Sequence, residues 1–200
     1  MQLLLVYHPD SQLGESWRKH FDGQAAVTVL EADICSLRCD AIVSPANSFG
    51  FMDGGLDYAL SERFGWDLQK RLQQTIRDEY AGELLVGQAV IVPTNDSVVP
   101  WLISAPTMRV PMNITTTVNA YLAMRAILLA VRTHKRAPAI DAVAVPGLGT
   151  GVGDLPPDVA ALQMWRACED VVLDETEYPE DVGVAADRHL KLNRLGHLFG

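Results

Sequence analysis

The sequence predicts one α/β domain with a mostly parallel or mixed sheet that helices cover on both faces. Short apolar runs alternate along the chain with helix-like stretches of ten or more residues, and 200 residues suffice for one sizeable core. The apolar fraction of 48% and the charged fraction of 20% are typical of a globular protein. In such sheets, ligands bind in the loops at the carboxyl ends of the strands.

Each strand-like run is short and apolar, and most end at a proline or a polar residue. The runs are 3–7, 26–30, 41–44, 84–92, 101–104 and 140–145. A predicted helix over 66–80 places Leu68, Leu72 and Ile76 on one face at four-residue spacing. The other predicted helices cover 11–21, 54–60, 116–132 and 158–173, the last beginning after a pair of prolines.

Charge, cysteine content and the length of the apolar runs argue against several classes of protein. The chain has 16 Lys and Arg against 25 Asp and Glu, so its net charge of −9 repels the phosphate backbone of nucleic acids. Three cysteines without a Cys-x2-Cys pair argue against a zinc site and favour a cytoplasmic protein with reduced thiols. The apolar run at residues 1–6 is too short for a signal peptide. No apolar run approaches the length of about 18 residues that a membrane-spanning helix needs.

The loop after the run 41–44 combines polar residues with a glycine pair in front of a predicted helix. Gly54 and Gly55 let the backbone approach a ligand and expose amides at a helix N-terminus, where a phosphate is favoured. Asn47 can donate and accept hydrogen bonds, which suits a sugar diol. Asp57 lies in the first helical turn, where it either holds a water molecule or stabilises the helix N-terminus. By itself the loop is explained equally well as a plain glycine turn.

The loop after the run 140–145 is richer in glycine. Four glycines alternate over seven residues between a strand and a helix: Gly147, Gly149, Gly151 and Gly153. Alternating glycines allow consecutive amides to point into one anion-binding concavity, although a wide, flexible turn is the alternative. No Gly-Lys-Ser/Thr follows, so this is not a nucleoside-triphosphate P-loop. Two glycine loops at helix starts on one sheet edge indicate a diphosphate site between them.

Two further side chains are candidates for ligand contacts. Asp33 follows a strand and either accepts a hydrogen bond from an exocyclic amine, such as that of adenine, or caps a turn. Arg109 is the one cation of the loop 104–111 and is either a surface residue or a contact to phosphate or sugar. No histidine forms a nucleophile motif with Ser or Cys, so no hydrolase triad is found. The acidic and then basic end of the chain is interpreted as a solvated tail or a final surface helix.

Taken together, these residues resemble a macrodomain, the ADP-ribose-binding family, over about residues 3 to 173. The matching segments occur in the family's order: Asp33-Ile34, Asp40 to Ser48, Gly54-Gly55-Leu56-Asp57, Gly147 to Gly153, and Ala160-Ala161. The resemblance implies a three-layer α/β/α sandwich with a central mixed, mostly parallel sheet over 1–173, followed by an extension at 174–200. It implies no metal and no cofactor.

The resemblance also implies roles for individual residues. Asp33 and Ile34 match the positions beside adenine, and Asn47 matches the asparagine that holds the distal ribose. Asp57, ten positions after Asn47, matches an aspartate that positions or activates water in the hydrolytic branch, so Asn47 and Asp57 are the predicted catalytic pair. The predicted ligand-binding residues are Asp33, Ile34, Ala46, Asn47, Gly54, Gly55, Leu56, Arg109, Gly147, Gly149, Thr150, Gly151, Val152 and Gly153.

Two departures from the family pattern leave alternatives open. Met52 and Asp53 stand where the hydrolytic branch has more glycines, and Gly153 stands where the family often has an aromatic residue over the distal ribose; Phe49 or Phe51 is another possible cover. The first hypothesis is therefore a hydrolase of mono-ADP-ribosyl or O-acyl-ADP-ribose linkages. The others are a non-catalytic reader of ADP-ribose or an ADP-ribosylated protein, and a phosphatase of ADP-ribose 1″-phosphate. The oligomeric state stays open.

Overall fold

A computed structural model of the chain describes residues 1–9, 11–173 and 178–193. The strands are β1 (Gln2–Tyr7), β2 (Val27–Glu31), β3 (Ala41–Ser44), β4 (Val90–Pro93), β5 (Trp101–Ser104) and β6 (Ala142–Val145). The helices are α1 (Leu13–Phe21), α2 (Gly55–Phe64), α3 (Asp67–Glu79), α4 (Asn119–Thr133), α5 (Pro157–Cys168) and α6 (Val182–Leu192). A 3₁₀ turn at Ile34–Ser36 follows β2, and a π-helical turn at Glu169–Leu173 extends α5.

The six strands form one mixed, mostly parallel sheet, which confirms the predicted fold class. The strand order is β2-β1-β6-β3-β5-β4, and β4 alone runs antiparallel to its neighbour. β6 is the last strand in the sequence, yet it lies between β1 and β3, with Val143 paired to both Leu3 and Ala41. Because parallel strands end at the same edge, the loops after all five parallel strands leave the sheet together.

Helices cover both faces of the sheet, as the resemblance to macrodomains implied. Side chains of a strand alternate between faces, so Ala41 and Val43 join the apolar cluster that includes residues of α1, α4 and α5, whereas Ile42 joins the one with residues of α2 and α3. Each cluster is a continuous set of buried apolar side chains. The result is a three-layer sandwich whose helices and sheet bury apolar area on both sides.

The fourth strand is shorter than the apolar run predicted. Leu84 is fully buried, but its amide donates to the carbonyl of Ser48 (2.9 Å) and not to a neighbouring strand. The chain then turns, and the Gln88 amide donates to the Leu85 carbonyl (2.9 Å) before pairing with β5 begins at Val90. The apolar character of Leu84 therefore reflects packing in the core, not membership of the sheet.

The end of the chain folds partly as the predicted surface helix. α6 is largely exposed along its first turns, and Leu192 at its end is buried. The predicted tail residues at 174–177 and 194–200 lie outside the described residues. Over the described ranges, no helix combines the length and apolarity that crossing a bilayer requires. All three cysteines are free thiols.

We predict that Leu72→Ala, on the apolar face of α3, lowers the free energy of unfolding by about 2–5 kcal/mol, because it opens a cavity in a fully buried site. Glu79→Ala, at an exposed position of the same helix, serves as the control and changes stability by less than about 0.5 kcal/mol. Urea unfolding measures both values. Equal stabilities of the two variants would contradict the assigned inner face of α3.

Candidate functional site

The Asn47 side chain folds the loop that follows β3. Its Oδ1 accepts hydrogen bonds from the amides of Phe49 (3.1 Å) and Phe51 (3.2 Å), and its Nδ2 donates to the Phe51 carbonyl (2.8 Å). An asparagine amide has two donor hydrogens and two acceptor lone pairs. Three of these four capacities are used within the loop, which leaves one amide hydrogen for another acceptor.

Met52 anchors the middle of the same loop. Its side chain is fully buried, its amide donates to Gln69 Oε1 (2.7 Å), and its carbonyl accepts from Ser61 Oγ (2.9 Å). The following residues, Asp53 and Gly54, are exposed. Met52 therefore adds a core contact beneath the loop and places no side chain on its exposed face.

Asp57 lies in the first turn of α2, beneath the glycine pair. Gly55 begins the helix with a φ of +55°, a left-handed conformation that favours glycine, and no side chain caps the Gly54 end. The Asp57 carboxyl is buried, 9% exposed, and Ser44 Oγ at the end of β3 donates to its Oδ1 (2.6 Å). Burial raises the pKa of Asp57 to about 6, although the Ser44 hydrogen bond acts in the lowering direction. The carboxyl thus changes its protonation state near neutral pH.

The loop between β6 and α5 is a compact glycine turn with one open face. The Leu155 amide donates to the Gly149 carbonyl (3.0 Å), and the Asp154 amide donates to the Gly151 carbonyl (2.9 Å). Gly149 has a φ of +74°, whereas a Cβ added at Gly151 would meet no atom within 4 Å. Gly151 and Val152 are exposed, so this face of the loop is accessible.

Ile114 closes the other face of the glycine loop. A Cβ at Gly153 would lie 2.5 Å from the Gly149 carbonyl oxygen and 2.7 Å from Ile114 Cγ1, and one at Gly149 would lie 2.5 Å from Ile114 Cδ1. Real Cβ atoms do not approach neighbours so closely. Gly153 therefore cannot be replaced by an aromatic residue in this backbone, because the Gly149 carbonyl and Ile114 of the loop between β5 and α4 occupy that space.

The β5–α4 loop joins the two glycine-bearing loops. Backbone hydrogen bonds run from Thr107 N to Ala46 O (3.1 Å), from Ser48 N to Arg109 O (3.1 Å) and from Ile114 N to Gly153 O (2.9 Å). The predicted residues at the ends of β3 and β6 thus belong to one connected set of loops at the carboxyl edge of the sheet.

The predicted cation of this edge, Arg109, already has an acidic partner. Its Nε and Nη2 lie 2.6 Å and 3.1 Å from the two carboxylate oxygens of Glu83, and its guanidinium lies over the Phe49 ring at 5.1 Å from the centroid. The pair lowers the pKa of Glu83. Phe49 is therefore covered by Arg109, whereas Phe51 is 53% exposed.

Asp33 and Ile34 lie at the same edge but beyond β1. Asp33 caps the 3₁₀ turn through a hydrogen bond from the Cys35 amide to its Oδ1 (2.8 Å), and Ile34 is buried. The capping role that the sequence offered as the alternative for Asp33 is thus present. In the described part of the chain, no group of His, Cys, Asp and Glu is placed to hold a metal ion.

A sequence model of the Macro domain family matches residues 43–164, which include both glycine-bearing loops. The chain belongs to the Macro domain family. A protein of Aquifex aeolicus is 30% identical over 138 residues, 69% of this chain and 78% of that protein. A protein of Aeropyrum pernix is 33% identical over 133 residues, and the match spans 66% of this chain and 65% of that protein's length.

Solved structures agree with this fold. The macrodomain of Mycobacterium tuberculosis DarG matches with a TM-score of 0.60 and 20% identity, covering 72% of this chain and 90% of that one. An Oceanobacillus iheyensis macrodomain mutant with ADPR matches with a TM-score of 0.61 and 20% identity, covering 84% of this chain and 89% of that one. At this level of identity the likeness supports the fold.

Two residues of this macrodomain edge were missed by sequence reasoning. The role of Ser44 could have been predicted, because it is a polar residue in the otherwise apolar strand Ala41–Ser44, and a buried hydroxyl needs a partner. The role of Ile114 could not, because an isolated isoleucine in an irregular loop does not indicate what it packs against. Its role depends on the tertiary contact with Gly149 and Gly153.

We predict that Asp57→Asn changes how stability depends on pH. The pKa of Asp57 is raised from 3.8 to about 6 in the folded chain, so the folded state binds the proton more tightly and loses stability as pH rises from about 4 through about 6. A shift of this size corresponds to on the order of 3 kcal/mol between the two protonation states. The neutral amide of the D57N variant does not titrate, so it causes no such fall in stability as pH rises.

Urea unfolding of the native chain and D57N at pH 4 and pH 7 measures the difference. D57N is expected to gain stability relative to the native chain by on the order of 3 kcal/mol over this range. Parallel pH profiles of the two proteins would show that Asp57 titrates normally.

Proposed function

We propose that this macrodomain binds ADP-ribose, with the diphosphate between the β3–α2 and β6–α5 loops. The two loops leave adjacent strands, and the accessible face at Gly151 and the uncapped start of α2 at Gly54 both offer backbone amides. Amide donors suit a chain of net charge −9, because they attract phosphate without requiring a basic surface. The O. iheyensis macrodomain with ADPR is a fold relative that supports this ligand.

The remaining contacts follow from the positions of the side chains at this edge. Asn47 offers its one unused amide hydrogen to the distal ribose, and Asp33 and Ile34 lie on the far side of β1, where adenine would lie. Arg109 contacts the ligand at the rim only if the ligand competes with the Glu83 carboxylate for the Arg109 guanidinium. The other proposed ligand contacts are Ala46, Gly55, Leu56, Gly147, Gly149, Thr150, Val152 and Gly153.

We further propose that the protein hydrolyses mono-ADP-ribosyl esters or O-acyl-ADP-ribose. The observation that carries this is the buried Asp57 carboxyl, whose pKa of about 6 is suited to accepting a proton near neutral pH. A water oxygen attacks the ester carbonyl or the anomeric carbon of the distal ribose, and Asp57 takes the water proton. Attack at the anomeric carbon breaks its bond to the ester oxygen and releases a carboxylate, which needs no proton at neutral pH. Attack at the carbonyl breaks the acyl–oxygen bond, and the leaving ribose oxygen takes back the proton that Asp57 accepted.

A non-catalytic reader of ADP-ribose or of an ADP-ribosylated protein is the second candidate. It is favoured by the engagement of Asn47, which uses three of its four hydrogen-bonding capacities inside its own loop. It is also favoured by the limited exposure of Asp57, at 9%. Both side chains in this case stabilise the loop and the start of α2, and the amides alone recognise the ligand.

Turnover of an ester-linked, mono-ADP-ribosylated peptide separates the two candidates. Asp57→Ala is expected to lower the rate about 10²–10⁴-fold, the usual contribution of a general base, whereas Asp53→Ala, at an exposed position of the same loop, leaves it unchanged. The native rate should fall as pH drops below about 6, where Asp57 is protonated. Ser44→Ala should move this acid limb to higher pH, because it removes the hydrogen bond that favours the carboxylate.

A native chain that binds ADP-ribose but releases none from the peptide over the full pH range would exclude the hydrolase on this substrate. That result would leave the reader as the function supported by the site.

We predict that Gly151→Glu weakens ADP-ribose binding by about 100-fold or more, because it places a carboxylate against the diphosphate. The fold should persist, since the added side chain meets no atom within 4 Å at its Cβ. Val182→Glu, at an exposed position of α6 that is 86% exposed, adds the same charge elsewhere and is the control. Calorimetry measures both affinities, and an unchanged affinity of G151E would refute the proposed position of the diphosphate.

A further inference from the structure

We propose that the end of α6, through Asn193 and the buried Gln163, is a latch that holds the ligand-binding loops in their binding conformation. The inference rests on the proposed function, because it assigns the C-terminal extension to the regulation of the same site. Gln163 and Asn193 are positioning residues in this account and touch no ligand.

Gln163 is the centre of the latch. It is a fully buried amide on α5, and its Oε1 accepts from the Tyr121 amide in the first turn of α4 (3.2 Å). Its Nε2 is shared among the Thr117 carbonyl (2.9 Å), Asn193 Oδ1 (3.2 Å) and the Leu192 carbonyl (3.4 Å). The Nε2 group has two donor hydrogens, and without α6 the Thr117 carbonyl would be its one remaining partner among these. Since an unsatisfied buried donor is costly, Gln163 favours the state in which α6 is docked.

The docked end of α6 reaches the β5–α4 loop directly. Asn193 Nδ2 donates to the Thr116 carbonyl (3.4 Å), and Leu192 is buried beside it. Earlier in the helix, Val182 is 86% exposed and Val184 is 38% exposed. α6 is therefore anchored through its last turn and presents much of its remaining surface to solvent.

From Thr117 a chain of contacts continues to the glycine loop. The Thr117 amide (3.0 Å) and hydroxyl (2.8 Å) both donate to the Ile114 carbonyl. The Ile114 amide donates to the Gly153 carbonyl (2.9 Å), and the Ile114 side chain closes the inner face at Gly149. Asn193, Gln163, Thr117, Ile114 and Gly153 thus form one continuous path from the extension to the proposed diphosphate site.

The path matters because backbone amides bind an anion only when several point to it at once. A loop that must be ordered on binding loses affinity by the entropy of that ordering, whereas a loop already held in place does not. Release of α6 would remove the Asn193 hydrogen bond to the Thr116 carbonyl and leave Gln163 Nε2 with only the Thr117 carbonyl, which would loosen Ile114 and make the glycine loop more mobile. Anything that detaches α6 would then lower ligand affinity without contacting the ligand.

Asn193→Ala in the full chain tests the latch with two readouts. We expect ADP-ribose affinity to fall about 3- to 10-fold, the range for a lost net hydrogen bond, and hydrogen exchange to accelerate selectively at the Ile114, Thr117 and Leu155 amides. Asn193→Asp keeps an acceptor for Gln163 and should partly restore both. Lys191→Ala, which removes only the exposed pair with Asp187 (2.6 Å), is the control and should change neither.

The outcomes separate the latch from the proposed function. If the native chain does not bind ADP-ribose, the proposed function fails, and the exchange readout alone decides whether the loops are latched. Unchanged exchange at the three amides in N193A would overturn the latch. Exchange that accelerates equally in the core strands would overturn it as well, because Asn193 would then support only global stability.

Discussion

The parallel pairing of β3 with β6 is the constraint on which the site depends. It places two strands that are distant in the sequence side by side at the centre of the sheet, with Ala41 opposite Val143. The glycine-bearing loops that follow them consequently begin next to each other. The β5–α4 loop then fastens the two together at Ser48 and Gly153. Glycine content alone would predict only two separate flexible turns. The pairing of β3 with β6 places the two loops side by side at one edge of the sheet.

The acidic charge of the chain limits how the loops at this edge can bind an anionic ligand. The chain is acidic overall, and Arg109 is already paired with Glu83, so the long-range field does not favour an anionic ligand. Local donors must provide the attraction, and the donors we propose are the amides at Gly54 and Gly151. Asp57 adds little opposing charge while it is protonated, because burial raises its pKa to about 6. Near neutrality, the same burial makes its carboxylate a stronger proton acceptor than an exposed aspartate.

Sequence patterns predicted the parts of the fold that depend on local periodicity. The strand Ala41–Ser44 and the inner face of α3 at Leu72 follow from apolar spacing and from the residues that end each run. The limits of β4 did not, because Leu84 is buried by packing outside the sheet. Gln163 gave no recognisable pattern either, since a buried glutamine that joins α4, α5 and α6 is defined only by tertiary contacts. Local chemistry thus predicted the two glycine-bearing loops, whereas the residues that hold them in place required the structure.

A crystal structure of the full chain with ADP-ribose would show directly whether the glycine-bearing loops hold the diphosphate. We expect the diphosphate to lie between the β3–α2 and β6–α5 loops, within hydrogen-bond distance of amides at Gly54–Gly55 and Gly149–Val152. The opposite edge of the sheet has another cavity, of about 440 Å³, which is lined by Arg63 and Arg71 but also by Asp67 and Asp96. A diphosphate bound there, with the glycine loops unoccupied, would contradict the proposed binding site.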